Sequence, residues 1–318
     1  MLNRGQELWS ASEIKSAYVQ NFAQTIELVN QTKGAKLWKE YSDFIVYVEL
    51  LESCLSDVLE QIEAFGEETK IDNFWYPTYD AKRKVRELEI RKAIFSASSA
   101  SMGVVASFRK FSKQFPVPDM NKKRLEIFGE DGLHEFLQEL RNEISHVKLA
   151  ETSWVLKRDF VNKTRKVHFY FHQEDIEGSG DWNRAARKYF KKNNAKVDVY
   201  NTYSDYLVRV QAYYAWFKEA FILEYESMIS THHANITSLQ GVENYFHWNY
   251  LIEAKTHSRD ALFKLLPKYL SESQLSELDK SKDDYSKQAV IILNSINTNN
   301  SFTPELIDKI KTKIESDC

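Results

Sequence analysis

Three side chains in one short stretch, Arg141, Asn142 and His146, carry the groups that move protons and hold anionic oxygens near neutral pH. An imidazole changes charge close to neutrality, so His146 is the candidate general acid or base. A guanidinium is permanently cationic and offers its N–H groups in a planar fork. Arg141 is therefore the candidate to hold charge that builds on a phosphoryl oxygen. Asn142 lies one helical turn before His146 and can orient the imidazole or bond a phosphate oxygen. The set suits proton transfer beside an oxygen that gains negative charge.

These residues lie in "LHEFLQELRNEISHVKLAETSW", from Leu133 to Trp154. On a helix advancing about 100° per residue, Leu133, Phe136, Leu137, Leu140, Ile144 and Val147 fall on one face and form a core stripe. Glu135, Glu139, Asn142 and His146 share the opposite face, and Arg141 sits on the flank between the two. Glu139 has two readings: a support that raises the pKa of His146, or a solvated helix charge. Asp131 stands where an N-cap would begin the helix. An exposed polar face alone excludes no water, so a site here needs a second surface. The economical source is a second copy of the same helix across a two-fold axis.

The elements on either side are mostly helical. Apolar residues from Tyr41 to Ile62 recur at three and four, as on an amphipathic helix. A second helical stretch runs from Asp80 to about Gln114, and its small-residue centre "SASSASMG" suits either close approach of another helix or a break at the serines and Gly103. "FPVPDM" ends it. "SWVLKRDF" and "RKVHFYFHQ", joined by "VNKT", alternate like two strands of one hairpin. An aromatic-rich helix is expected from about Ser204 to Met228, with further helices near Val242 to Leu266, Ser273 to Ile296 and Pro304 to Glu315. The aromatic stripe from Tyr206 to Tyr225 belongs to a core or a dimer interface. The predicted fold class is all-α, with one short β-hairpin insertion, in a single domain over 1–318 that has a C-terminal helical extension from about 230. No long flexible linker interrupts it.

Composition narrows the function classes. The chain has 318 residues and a net charge of -3, which argues against a generally basic nucleic-acid binder but leaves room for a local basic patch. No run of about 18 apolar residues appears, and the N-terminus lacks the apolar core of a secretory signal, so the expected location is cytoplasmic, with no membrane partner. The two cysteines, Cys54 and Cys318, make neither a disulfide framework nor a thiolate metal site. His168 and His172 would stand about 13 Å apart along a strand, too far to share a metal. "THH" at Thr231 to His233 falls in an expected connection. There is no Walker loop, dinucleotide fingerprint or nucleophile elbow. No metal and no cofactor is expected.

"LRNEISH" resembles the signature of the HEPN superfamily, helical bundles marked by an Arg, then a polar residue that is commonly Asn, then a His after four to six intervening residues. The resemblance covers about Leu133 to Ala150 and, more loosely, the helices on either side. It implies a homodimer in which two motif helices face each other. It also implies a metal-independent endoribonuclease of the kind found in toxin, phage-defence and RNA-processing systems, with Arg141, Asn142 and His146 catalytic. RNA would be cleaved by attack of a 2′-hydroxyl on the adjacent phosphate. An antitoxin or regulatory protein is a partner such an enzyme would have. Some HEPN toxins carry a Tyr two residues after the motif His, where a nucleotidyltransferase antitoxin modifies them. Lys148 occupies that place here, which puts that mode of neutralisation in doubt and leaves a phosphate contact or a plain surface lysine. The alternative is a catalytically inert HEPN-like module that binds RNA, a nucleotide or a protein partner.

"NRAARKYFKKNNAK", from Asn183 to Lys196, sets Arg184, Arg187 and Lys188 among further lysines beside Tyr189 and Phe190. On an acidic chain this reads either as an RNA track, with cations for backbone phosphates and an aromatic for stacking, or as a solvated helix.

Overall fold

The computed structural model describes residues 2–3, 5–146, 152–159, 164–172, 182–194, 196–256 and 258–315. Among them are thirteen α-helices and one small sheet, the all-α architecture with a hairpin insertion that the periodicities predict. In chain order they are α1 (Ala11–Gln20), α2 (Phe22–Asn30), α3 (Lys33–Glu68), α4 (Asp80–Gln114), α5 (Met120–Phe128), α6 (Leu133–His146), β1 (Thr152–Asp159), β2 (Thr164–His172), α7 (Arg184–Lys192), β3 (Lys196–Asp198), α8 (Val199–Glu224), α9 (Glu226–Tyr250), α10 (Arg259–Leu265), α11 (Glu272–Lys280), α12 (Tyr285–Ile296) and α13 (Pro304–Glu315). No helix is long and apolar enough to cross a membrane among the described residues.

The chain divides into two compact units, residues 39–225 and residues 1–38 with 226–318. The sequence-predicted extension from about 230 thus belongs to a unit that also takes in the N-terminal helices. That unit is organised around Trp248, Leu262, Leu266, Ile292, Leu306, Ile310 and Ile314 in one cluster and Trp9, Ile14, Val29, Leu239 and Val242 in another. Its helix starts are closed by side chains: Ser10 forms a capping box with Glu13, and Ser271 forms one with Gln274. The helix expected over 273–296 is interrupted at Ser281, and Asp284 caps α12 by accepting from the Lys287 N–H. The helix expected near 242–266 likewise gives way to a π turn at Leu251–Lys255 before α10. Thr231 to His233 lie inside α9 and not in a connection, with His233 edge-on to Trp38 at 4.8 Å between ring centroids.

The 39–225 unit has an aromatic core. Phe44 stacks on Phe111 at 5.3 Å, and Tyr41 on Phe221 at 4.4 Å. Helix α4 runs unbroken through "SASSASMG". Ala97, Ser98 and Ala100 are buried there, and a Cβ on Gly103 would meet the Tyr47 ring of α3 at 3.3 Å, so the small residues serve close helix approach. The aromatic helix ends at Glu224, and its stripe is core: Tyr206, Tyr213, Phe217 and Phe221 are all buried. The sheet has the order β1-β2-β3, antiparallel throughout, with Val155 opposite His168 and Phe171 opposite Val197. Val167, Phe169 and Phe171 face the core, and Phe169 meets Phe65 edge-on at 5.1 Å. The strand β3 is an addition to the expected hairpin, three residues long and too short to announce itself by alternation.

Helix α6 is aimed by the connection from α5. Arg209 of α8 donates to both Asp131 oxygens, at 2.6 and 3.2 Å, to Asp205 at 2.9 Å, and to the Phe128 carbonyl. Asp131 in turn accepts from the Leu133 N–H at 3.1 Å while held in the Arg209 clamp, but it stands one residue before the N-cap expected of it: Gly132 takes that position, its carbonyl accepting from the Phe136 N–H at 2.8 Å. Between them Gly132 adopts φ +89°, a conformation that L side chains rarely take, and its α-carbon lies against α7, where a Cβ would fall on the Ala185 carbonyl. Neither the turn nor the contact tolerates a side chain. Gly132→Ala should therefore destabilise the protein by about 2 to 3 kcal/mol, read as a lower urea midpoint. A midpoint equal to that of the wild type would mean that α6 is not anchored at this junction.

Candidate functional site

The motif helix α6 packs against α4, α7 and α8 through one edge, on which Leu133, Phe136 and Leu140 have no solvent exposure. Phe136 meets Phe190 edge-on at 5.0 Å, stacks on Tyr189 at 5.1 Å and approaches Trp182 at 5.8 Å. This contact fixes the rotation of the helix and carries its polar residues outward in two rows.

The first row holds the predicted site. Arg141 Nη2 donates to Asn142 Oδ1 at 2.9 Å, and Asn142 Nδ2 donates to Glu139 Oε2 at 3.4 Å. The structure thus brings Arg141, Asn142 and Glu139 together. Asn142 is exposed and Arg141 half-buried, with its Nε buried and without a hydrogen-bond partner among the described residues. Glu139 is more than a solvated charge: its other oxygen accepts from the Asn183 N–H at 3.2 Å, at the start of α7. A carboxylate is favourable there because it satisfies an otherwise open donor and faces the positive end of the helix dipole. His146 is the last residue of α6; its side chain and the whole of Lys148 lie outside the described residues.

The basic segment is helix α7. Asn183 caps it by accepting from the Ala186 N–H at 2.9 Å, and Arg184, Arg187, Lys188, Lys191 and Lys192 all lie on its exposed side. The aromatic half of the RNA-track reading is corrected by the packing. Phe190 is fully buried, and Tyr189 faces inward, bonded to Thr202 at 3.4 Å, so neither ring is offered for stacking. The cations remain, on a helix tied to the motif face through Glu139.

A second polar row on α6 was not singled out in the sequence, although the 3.6-residue period places His134, Gln138 and Arg141 in line. Gln138 Nε2 contacts His134 Nε2 at 2.9 Å, and His134 Nδ1 contacts the Tyr206 hydroxyl at 3.2 Å. The amide N–H can only donate, so the neutral ring carries its proton on Nδ1 and donates it to Tyr206. Burial lowers the pKa of His134, and the positive charges of Arg124 and Arg141 lower it further against the opposing pull of Glu135. Burial pushes the Tyr206 hydroxyl well above the ordinary tyrosine range, so it stays protonated.

The other histidines considered for metal binding have protein partners. His168 Nδ1 pairs with Asp198 at 2.7 Å and His172 Nε2 with Ser153 at 2.5 Å. Among the described residues no three His, Cys, Asp or Glu side chains converge on a common point.

The lowered pKa of His134 sets a pH dependence. As pH falls below the ordinary histidine value the unfolded chain takes up a proton that the folded chain refuses, so the contribution is complete above about pH 6.5 and is lost towards lower pH. Wild type should lose more stability between pH 7.5 and pH 5.5 than His134→Gln, measured by urea midpoints; equal losses would show that His134 titrates normally. No protein-family profile matches the chain, and neither a curated protein nor a solved structure is significantly similar to it.

Proposed function

We propose that the protein is a metal-independent endoribonuclease of the HEPN type, active as a homodimer, with Arg141, Asn142 and His146 as its catalytic residues. The observation that carries this reading is the 2.9 Å bond from Arg141 Nη2 to Asn142 Oδ1, which holds the guanidinium on the edge of an exposed polar helix face. The cationic side of α7 is tied to the same face through the Glu139 bond to Asn183.

In the proposed reaction the 2′-oxygen attacks the adjacent phosphorus as its proton passes to an imidazole. The bond from phosphorus to the 5′-oxygen breaks, and that oxygen takes a proton from an imidazolium. The products are a 2′,3′-cyclic phosphate and a 5′-hydroxyl. One histidine per chain supplies both roles when two motif helices face each other, with one imidazole taking a proton and the other giving one. Arg141 neutralises the phosphoryl oxygens in the transition state. Asn142 fixes the guanidinium and shares the phosphate. Exposed cations of α7 hold backbone phosphates away from the scissile bond.

The first test is cleavage of total cellular RNA in EDTA. Wild type should yield fragments with cyclic phosphate ends, and His146→Ala should be slower by about 10²- to 10⁴-fold while remaining a folded dimer. Undiminished cleavage by His146→Ala would overturn the acid–base role, and a strict requirement for magnesium would overturn the metal-independent mechanism. If neither protein cuts, the inert binding module becomes the better reading. A separate test addresses α7: neutralising Arg187 and Lys188 together should weaken RNA binding and reduce the slope of log affinity against log salt by about 1 to 1.5. An unchanged slope would remove α7 from the RNA surface.

A further inference from the structure

The second polar row of α6 forms one wall of a cavity of about 590 Å³ inside the 39–225 unit, lined also by α3, α4, α5 and α8. The volume suits a small organic ligand, for which sites of about 300 to 1,000 Å³ are usual. Three chemistries converge on it.

The inner walls are rings. Phe108 of α4, Phe128 of α5 and Tyr206, Tyr213 and Tyr214 of α8 line the space, with Phe108 edge-on to Tyr213 at 5.9 Å and Phe128 tilted against Tyr206 at 5.8 Å. Such walls accept a flat aromatic body, by stacking or edge-to-face contact. The second chemistry is the Gln138–His134–Tyr206 series. It runs from an amide to a hydroxyl, and the carbonyl oxygen of Gln138 and the hydroxyl proton of Tyr206 have no partner among the described residues. One acceptor and one donor are therefore left over on a neutral polar wall.

The third is charge. Arg109 and Arg124 both line the cavity and both are exposed, and neither has a hydrogen-bond or ion-pair partner among the described residues. Arg124 stands close enough to His134 and Tyr213, both on the lining, for its charge to lower the pKa of each. A phosphate monoester carries about 1.5 to 2 negative charges at neutral pH and accepts in the planar geometry that guanidinium offers. Glu135, the one acid on the lining, has no partner among the described residues and is an acceptor for a ligand hydroxyl.

We infer that this cavity binds an aromatic phosphate monoester, with its ring among Phe108, Tyr213 and Tyr214 and its phosphate on Arg109 and Arg124. A nucleotide and a simple aryl phosphate share that chemistry. The inference stands apart from the ribonuclease reading, because none of the residues it uses is Arg141, Asn142 or His146.

The experiment is calorimetric titration of the full chain with AMP, phenyl phosphate, adenosine and inorganic phosphate. AMP or phenyl phosphate should bind at one site per chain, with adenosine and inorganic phosphate at least about tenfold weaker. The source is told by Glu135→Gln, which should weaken AMP, whose sugar hydroxyls need an acceptor, and leave phenyl phosphate unchanged. The double variant Arg109→Ala with Arg124→Ala changes only exposed side chains and should keep the wild-type melting temperature while losing affinity for the phosphate esters by at least about tenfold. Lys188→Ala with Lys191→Ala on α7 should have no effect, and neither should His146→Ala. The inference is overturned if no aromatic phosphate binds at millimolar concentration, if binding survives loss of both arginines, or if it is lost equally with the α7 lysines.

Discussion

The buried edge of α6 is the constraint on which the rest of the arrangement depends. Leu133, Phe136 and Leu140 are each sealed from solvent, and Phe136 alone touches Tyr189, Phe190 and Trp182. A helix held by three successive core residues has no freedom to rotate, so the remaining positions are assigned to fixed directions. Asn142 is carried to the exposed side and His134 to the cavity side, and Arg141 falls between. Rotation by one residue would bury a charged side chain at a cost of several kcal/mol. The Arg209 clamp and Gly132 fix where this helix starts, and the hydrophobic edge fixes how it is turned.

Much of this was legible because the period of α6 is strong: Leu133, Phe136 and Leu140 of the core stripe, the exposed Asn142 and the flanking Arg141 all follow from 100° spacing, whereas Leu137 is half-buried and the Ile144 side chain and Val147 lie outside the described residues. The hairpin was legible for the same reason, since inward Phe169 and Phe171 alternate with His168, Tyr170 and His172. Other features left weaker traces. No glycine or proline marks the passage from α8 to α9 at Tyr225, so the aromatic pattern reads on past the true end of the helix. The break before α12 was readable in principle, because "SKDDY" offers the cap that Asp284 supplies. The aromatic residues of α7 were assigned to RNA because their neighbours are basic. A wheel over Arg184–Lys192 separates them: the cations take one side, and Ala186, Tyr189 and Phe190 take the other. What no local pattern contained was the pairing of His134 with Tyr206, whose positions in the sequence are 72 apart. Long-range partners of a polar residue are set by packing and not by spacing.

The charges around Arg141 show why its position is informative. Glu139 is linked to it only through Asn142, both Glu139 oxygens being engaged, with Asn142 and with the start of α7. On the cavity side the neighbours are a histidine kept neutral by burial, a tyrosine kept protonated by burial, and Glu135, whose charge acts on the same two side chains as that of Arg141. Among the described residues, then, no ion pair cancels the Arg141 charge. Its Nε–H is buried with no hydrogen-bond partner among the described residues. A lysine there would reach solvent with less desolvation and a leucine would leave no donor unpaired. Arg141 is thus a half-buried arginine held in one orientation by a neighbouring amide, and in the proposed reaction the phosphate would supply the anion that its guanidinium lacks as a direct ion-pair partner among the described residues.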